Sequence, residues 1–395
     1  MMPHHMTIVR RTVLILVCIA ASATTSYNRG IRSVRGNLQF AVEAAGREAT
    51  RAAGWKLVLH SADTGPMGLI STAALCGREV FLLDSRQGVV HRVDLTTGGE
   101  TGHFGSSGNG PNEPRTPRAM ALDCAGQTLY LVDRTGVFVF SLPSGLVERH
   151  FVQPANFAYT SGNAVLDAPN GMLFVPGLWT AAGWSDWLHR DLDRMFDVDR
   201  LGYSLSLRDG TTKPLFMPLE LGCWAYSSSC LDAVFDEVRA RGPERWAVAQ
   251  RVSTQVGIFD SQYRLLRVFD VRSRRFRENG QRVGRSSLTD EMRWHEDNST
   301  IRRVYAFGEH IVTIHTTHAT KDWVPGQPID FEASMNVHSL DGSGLVSDLR
   351  LPGLPVARDD RSLYVIDYGP GGRRIGTDHI TLIRYPIVAG RQLFQ

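Results

Sequence analysis

Two stretches of this chain share one plan, and that repetition limits the fold more than any other feature. Residues 73–95 read AALCGREVFLLDSRQGVVHRVDL, and residues 121–142 read ALDCAGQTLYLVDRTGVFVFSL. Each holds a short apolar run, a turn with Cys and Gly, and a β-rich run ending on Asp (Asp84, Asp133). A turn containing Gly and a second β-rich run follow, and the two Asp positions stand 49 apart. Short apolar runs with Gly/Asp turns every ~8–12 residues indicate strands rather than helices.

Looser copies continue the theme. Residues 163–175 carry Asp167 and Gly171 in the places of a first turn. Residues 245–267, 303–315, 333–351 and 354–387 supply further strand pairs and hairpins, for six units in all. A four-stranded repeat of ~40–50 residues is the sequence form of a β-propeller blade. The last unit offers three strands, near residues 355–358, 362–368 and 379–387, and lacks a fourth. The run WKLVLH, residues 55–60, precedes the first unit and supplies it. The expectation is an all-β, six-bladed β-propeller whose ring is closed by an N-terminal strand in the last blade. Such closure removes open sheet edges. A pair of β-sandwiches is the structural alternative.

Residues 104–133, FGSSGNGPNEPRTPRAMALDCAGQTLYLVD, carry a further resemblance. Phe104-Gly105, Gly108, Gly110-Pro111, Glu113, Pro117, Asp123, Gly126, Tyr130 and Asp133 match the pattern of an NHL-type repeat. The segment resembles a blade of the six-bladed NHL-repeat or TolB-like propellers, and residues 73–95 resemble it in part. The resemblance implies ligand sites at the mouth of the central channel, near the starts of the innermost strands. By register with this blade, Arg118, Asn163 and Arg302 are the candidate ligand-binding residues.

The N-terminus reads as an export signal. Arg10 and Arg11 precede the uncharged run TVLILVCIA, and Ala21-Ser22-Ala23 offers small residues for cleavage. That order marks a signal peptide, with an apolar core short for a membrane span. The map expected is a signal over 1–25, a polar lead-in over 26–54, and the propeller over 55–390. Insertions fall near 180–200, 231–242 and 272–299; the first two read as helix-like and the third as a long loop. Export places the protein in the periplasm or outside the cell, the alternative being a membrane anchor left by an uncleaved signal. An even number of cysteines beyond residue 25 permits disulfides there. Cys223 and Cys230, in CWAYSSSC, are the pair expected to bond. Cys76 and Cys124 occupy matching turns of successive repeats, which makes them neighbours and leaves their bonding open.

The formal net charge is only +3, although Lys and Arg total 43 and just Lys56, Lys213 and Lys321 are lysines. A nearly neutral chain is not a general polyanion binder. The arginines gather at 264, 267, 272, 274, 275, 277, 282 and 285, with no nucleic-acid motif around them. No nucleic acid partner is therefore expected, and the chain is expected to be a monomer.

Catalytic signals are lacking. There is no G-x-S-x-G elbow, phosphate loop or G-x-G-x-x-G fingerprint. Asp191, Asp193, Asp197, Asp199 and Asp209 fail the EF-hand pattern, since Leu201 and Arg208 stand at ligand positions. The histidines His295, His310, His315 and His318 lack zinc spacing. Neither metal nor cofactor is expected, and no catalytic residue is assigned. Asn298-Ser299-Thr300 is a glycosylation sequon, relevant only in a eukaryotic host. The reading is a binding or scaffolding propeller that recognises a protein, peptide or glycan through the channel mouth and inserted loops. The alternative is a metal-dependent hydrolase or lactonase of the gluconolactonase-like kind, with a divalent ion in the channel, to which Asn163 or Asp167 would contribute.

Overall fold

The structure is a computed structural model, and it describes residues 56–60, 68–105, 110, 113–155, 157–159, 163–180, 198–219, 233–251, 253–271, 273–277, 297–318, 331–367 and 379–387. Strand β1 (Lys56–His60) comes first in sequence and finds its partners last. The first blade is β2 (Ile70–Cys76), β3 (Glu79–Asp84), β4 (Val89–Asp94) and β5 (Glu100–Phe104). The second is β6 (Ala119–Asp123), β7 (Thr128–Val132), β8 (Gly136–Ser141) and β9 (Val147–Val152). In the third, β10 (Phe157–Tyr159) and β11 (Val165–Asp167) both pair with β12 (Met172–Thr180), followed by β13 (Val198–Ser206) and β14 (Thr212–Phe216).

The fourth blade is β15 (Ala233–Glu237), β16 (Trp246–Gln250), β17 (Gln255–Phe259) and β18 (Leu265–Asp270). The fifth is β19 (Thr300–Phe307), β20 (His310–His318), β21 (Phe331–Ser339) and β22 (Gly344–Leu351). The sixth is β23 (Leu354–Arg358), β24 (Ser362–Asp367) and β25 (His379–Pro386), completed by β1, which lies antiparallel to β25 from Lys56↔Ile383 to His60↔His379. Six antiparallel sheets thus form a six-bladed propeller, closed as the sequence predicts.

Burial explains why each blade reads as it does. Middle strands are covered on both faces, so they carry unbroken apolar runs rather than alternation. Val80, Phe81, Leu82 and Leu83 of β3 are all buried. Outer strands such as β9 and β18 are largely exposed. Side chains pack between successive sheets right round the ring. One cluster joins the sixth, first and second blades through Leu59, Phe81 and Phe138, and another joins the fifth and sixth through Phe307 and Leu363. Each fully buried Leu or Phe contributes about 1.5–3 kcal/mol.

The repeated Asp residues work as turn caps. Asp84 accepts the amides of Arg86 and Gln87 at 3.0 Å each, and also those of Gly68 and Leu69 before β2. Asp133 likewise accepts Gly136 N at 3.1 Å and, further back, Arg115 N at 2.8 Å. One carboxylate thereby shapes a turn and ties down the loop that feeds the innermost strand. In the turn after Asp133, Gly136 has φ +148°, and a Cβ there would lie 1.9 Å from the Phe151 carbonyl oxygen.

One sequence expectation changes, and one open pairing is decided. The stretch near 231–242, expected to be helix-like, holds β15 instead. Leu231, Val234, Phe235 and Val238 have helical spacing, but β15 is an innermost strand buried along its whole length, and such a strand shows no period of two. Cys76 and Cys124 form a disulfide between the first two blades, with Cα atoms 5.6 Å apart. The pair Cys223–Cys230, the signal over 1–25 and the lead-in over 26–54 lie outside the described residues, as do the insertions over 181–197 and 278–296. The sequon is buried at Asn298, Ser299 and Thr300, so the folded chain does not present it.

Candidate functional site

Innermost strands touch their neighbours along the channel wall, whereas strands two blades apart meet only across the axis. Three side-chain contacts do this. Thr72 Oγ1 of the first blade donates to Asn163 Oδ1 of the third, with the Val356 carbonyl oxygen 3.4 Å away. Arg303 Nη2 of the fifth blade donates to the Ser71 carbonyl of the first. Arg358 Nε of the sixth donates to Asp236 Oδ2 of the fourth at 2.7 Å. Polar groups from five blades therefore converge on the axis.

Asp236 is also bonded within the wall. Its Oδ2 accepts Ala306 N at 2.9 Å, and its Oδ1 accepts Glu237 N at 2.9 Å. The Arg358 guanidinium lies 5.6 Å from the Phe307 ring centroid. Burial by itself would weaken Arg358 as a cation, but the Asp236 carboxylate outweighs it and raises its pKa.

Arg303 has no such carboxylate bonded to it. Its Nη1 donates to the Arg302 carbonyl at 2.8 Å, while its buried Nε has no hydrogen-bond partner. Burial, and then the Arg251 cation, push its pKa down against the pull of Tyr305. The Tyr305 hydroxyl is also buried, makes no hydrogen bond of full geometry, and lies close to Arg303, Asp236 and Arg358, with the Arg303 guanidinium as its nearest polar neighbour. Burial is the main reason its pKa is raised.

Local irregularities aim these groups. On β19 the pairing with β20 slips between Ile301 and Arg303. A bulge re-aims side chains at the point where it occurs. Arg302 donates from Nε to Thr316 Oγ1 at 3.1 Å and stacks 5.5 Å from the Phe331 centroid, inside its own blade. Arg303, one residue on, crosses the axis. Asn163 stands between β10 and β11, where the innermost strand of the third blade is interrupted. Arg118 is exposed just before β6. Of the three residues proposed from sequence, the structure therefore brings Asn163 into the axial set, holds Arg302 against Thr316 and Phe331, and leaves Arg118 at the surface. Asp236, Arg303, Tyr305 and Arg358 were not singled out from sequence, and the only hint was an arginine pair inside a β-rich run.

A second polar cluster lies between the fourth and fifth blades. His315 Nε2 is 3.5 Å from Ser273 Oγ, and Ser273 Oγ donates to Asp348 Oδ1. Asn336 Oδ1 accepts the Asp348 amide at 2.9 Å, so Asn336 Nδ2 must be the donor to His315 Nδ1 at 3.1 Å. Burial, against the pull of Asp348, lowers the His315 pKa to about 4, so the ring is neutral with its proton on Nε2. That ring cannot take a proton from Ser273. The serine oxygen meanwhile accepts the amides of Arg275 and Phe276 at 3.1 and 2.9 Å, which makes it a turn cap. The arrangement is the reverse of an activated serine.

Among the described residues no three or more His, Cys, Asp or Glu side chains are grouped to hold a metal ion, and no helix is long and apolar enough to cross a membrane.

No protein-family model matches the sequence, and no curated protein matches it either. Solved structures do resemble the fold. A member of the DUF4221 family from Bacteroides vulgatus superposes with a TM-score of 0.61 at 12% identity, over 84% of this chain and 96% of that one. A candidate exported protein from Bacteroides fragilis gives 0.49 at 11% identity, over 84% and 94%. Regucalcin, a calcium-binding protein from Agrobacterium tumefaciens, gives 0.44 at 12% identity, over 82% and 92%. At 12% identity, the likeness to the DUF4221 member speaks to the fold alone.

Proposed function

We propose that this chain is an exported binding propeller that takes its ligand at the ring axis, entering from the end where the innermost strands begin. The observation that carries the reading is the convergence of side chains from five blades on the axis. Asn163 and the exposed Arg118 belong to the same end, and a protein, peptide or glycan bound there is the partner class that fits a channel mouth. The signal-like start of the chain supports export. So does the Cys76–Cys124 disulfide, a bond that persists in oxidising compartments; the destination is the periplasm or the medium. The loop pattern over residues 104–133 supports kinship with NHL-like or TolB-like propellers.

The metal-hydrolase reading has less in its favour. The axial carboxylate Asp236 is already engaged by Arg358 and the Ala306 amide, and the Ser273–His315 pair is wired against nucleophilic attack. The test is to present the processed protein to peptide and glycan arrays beside an Arg118→Ala/Asn163→Ala double variant. Binding that the double variant loses supports the axis as the site. Binding that the variant keeps in full removes the axis from consideration.

A further inference from the structure

We infer that the axial site is built to hold a carboxylate group, presented by a small organic acid or by an acidic sugar, against Arg303 and Tyr305. This deepens the proposed function and rests on its premise that the ligand sits at the axis. The buried Arg303 Nε–H and the buried Tyr305 hydroxyl stand beside each other, neither in a hydrogen bond of full geometry, and the hydroxyl proton has no acceptor. Buried donors left unmade are costly, and proteins rarely keep them without a use. The guanidinium has five N–H groups, and the two acceptors it meets are backbone carbonyls, which supply no negative charge.

Charge points the same way. The pair Asp236–Arg358 balances itself, and Arg303 is left as a cation with no carboxylate bonded to it and with the Arg251 cation nearby. A planar carboxylate supplies the missing negative charge and offers paired oxygens to a guanidinium fork. Arg303 is also partly exposed as a residue although its Nε is buried.

The experiment is a thermal-unfolding titration of the full processed protein with sodium acetate, sodium glucuronate and inorganic phosphate, each against sodium chloride at equal ionic strength. A saturable rise in melting temperature with acetate or glucuronate, absent in Arg303→Gln, is the expected result. Glucuronate far tighter than acetate identifies an acidic sugar, and equal affinities identify a free acid. Tyr305→Phe should weaken carboxylate binding about tenfold, as expected for losing a hydrogen bond to a charged group. Without added anion it should melt close to the parent, because its hydroxyl makes no hydrogen bond of full geometry. If Arg303→Gln fails to fold, the Tyr305→Phe pair of readings decides. Carboxylates acting no better than chloride, saturable stabilisation by phosphate alone, or undiminished binding in both variants would overturn the inference. A neutral array ligand lost in the Arg118→Ala/Asn163→Ala variant would overturn the carboxylate while leaving the axial site standing. Carboxylate-dependent stabilisation that Arg303→Gln, Tyr305→Phe and Arg118→Ala/Asn163→Ala all keep would sink both.

Discussion

Asp236 and Arg358 are joined across the ring axis, Oδ2 to Nε 2.7 Å, although a whole blade separates their strands. Removing one partner strands the other charge in a mostly buried place. Asp236→Ala should cost about 3 kcal/mol, read as a drop in the urea midpoint. The double change Asp236→Asn/Arg358→Met should recover much of that loss. A single-variant cost under about 1 kcal/mol would show that the bridge is idle.

The disulfide between Cys76 and Cys124 closes a segment of 48 residues. Loop-closure entropy for that length predicts about 4 kcal/mol of stabilisation. Cys76→Ser/Cys124→Ser should therefore unfold at clearly lower denaturant. A non-reducing peptide map should recover the two cysteines in one linked fragment, and free thiols at both would contradict the bond.

His315 sets an acid limit. Its folded-state pKa is about 4, below the ~6.5 of an unfolded histidine. Above pH 6.5 the ring is neutral in both states and its burial carries no proton penalty. As pH falls from 6.5 towards 4 only the unfolded chain gains the proton, so stability drops, by at most about 3 kcal/mol. His315→Gln should flatten the stability curve across that window; an unchanged slope would refute the assignment.

His91 acts with the opposite sign. It is buried beside Asp84 and Glu100, its Nδ1 3.1 Å from Glu100 Oε1. Burial favours the neutral ring, but the two carboxylates outweigh it and raise the pKa. Its contribution is fully present below pH 6.5 and is lost as pH rises through the folded value. His91→Gln should remove that alkaline decline while leaving the acid limb to His315, as a pH series of denaturant midpoints will show.

Strand β1 closes the ring through β25, with Leu57 and Leu59 buried in the core shared by three blades. A chain starting after His60 should expose the β25 edge and self-associate, since an uncovered edge pairs with other chains. Size-exclusion chromatography with light scattering reads this directly. A stable, monomeric truncated protein would mean the closing strand is dispensable.

What the sequence determined about this protein is local. Strand runs, Gly turns and capping Asp residues such as Asp84 and Asp133 act within a few residues of each other, so they are legible in one dimension. Ring closure by residues 55–60 was legible too, because a missing strand at one end matched an extra one at the other. Tertiary structure decided the rest. β15 was hidden because a strand buried on both faces loses its period and can imitate a helix. Arg303 rather than Arg302 faces the axis because one bulge changes the register of β19, and a bulge leaves no compositional mark. Cys76 met Cys124 because adjacent blades align their turns. Asp236, Arg303 and Arg358 come from three blades far apart in sequence, and only a closed ring brings their side chains to one line.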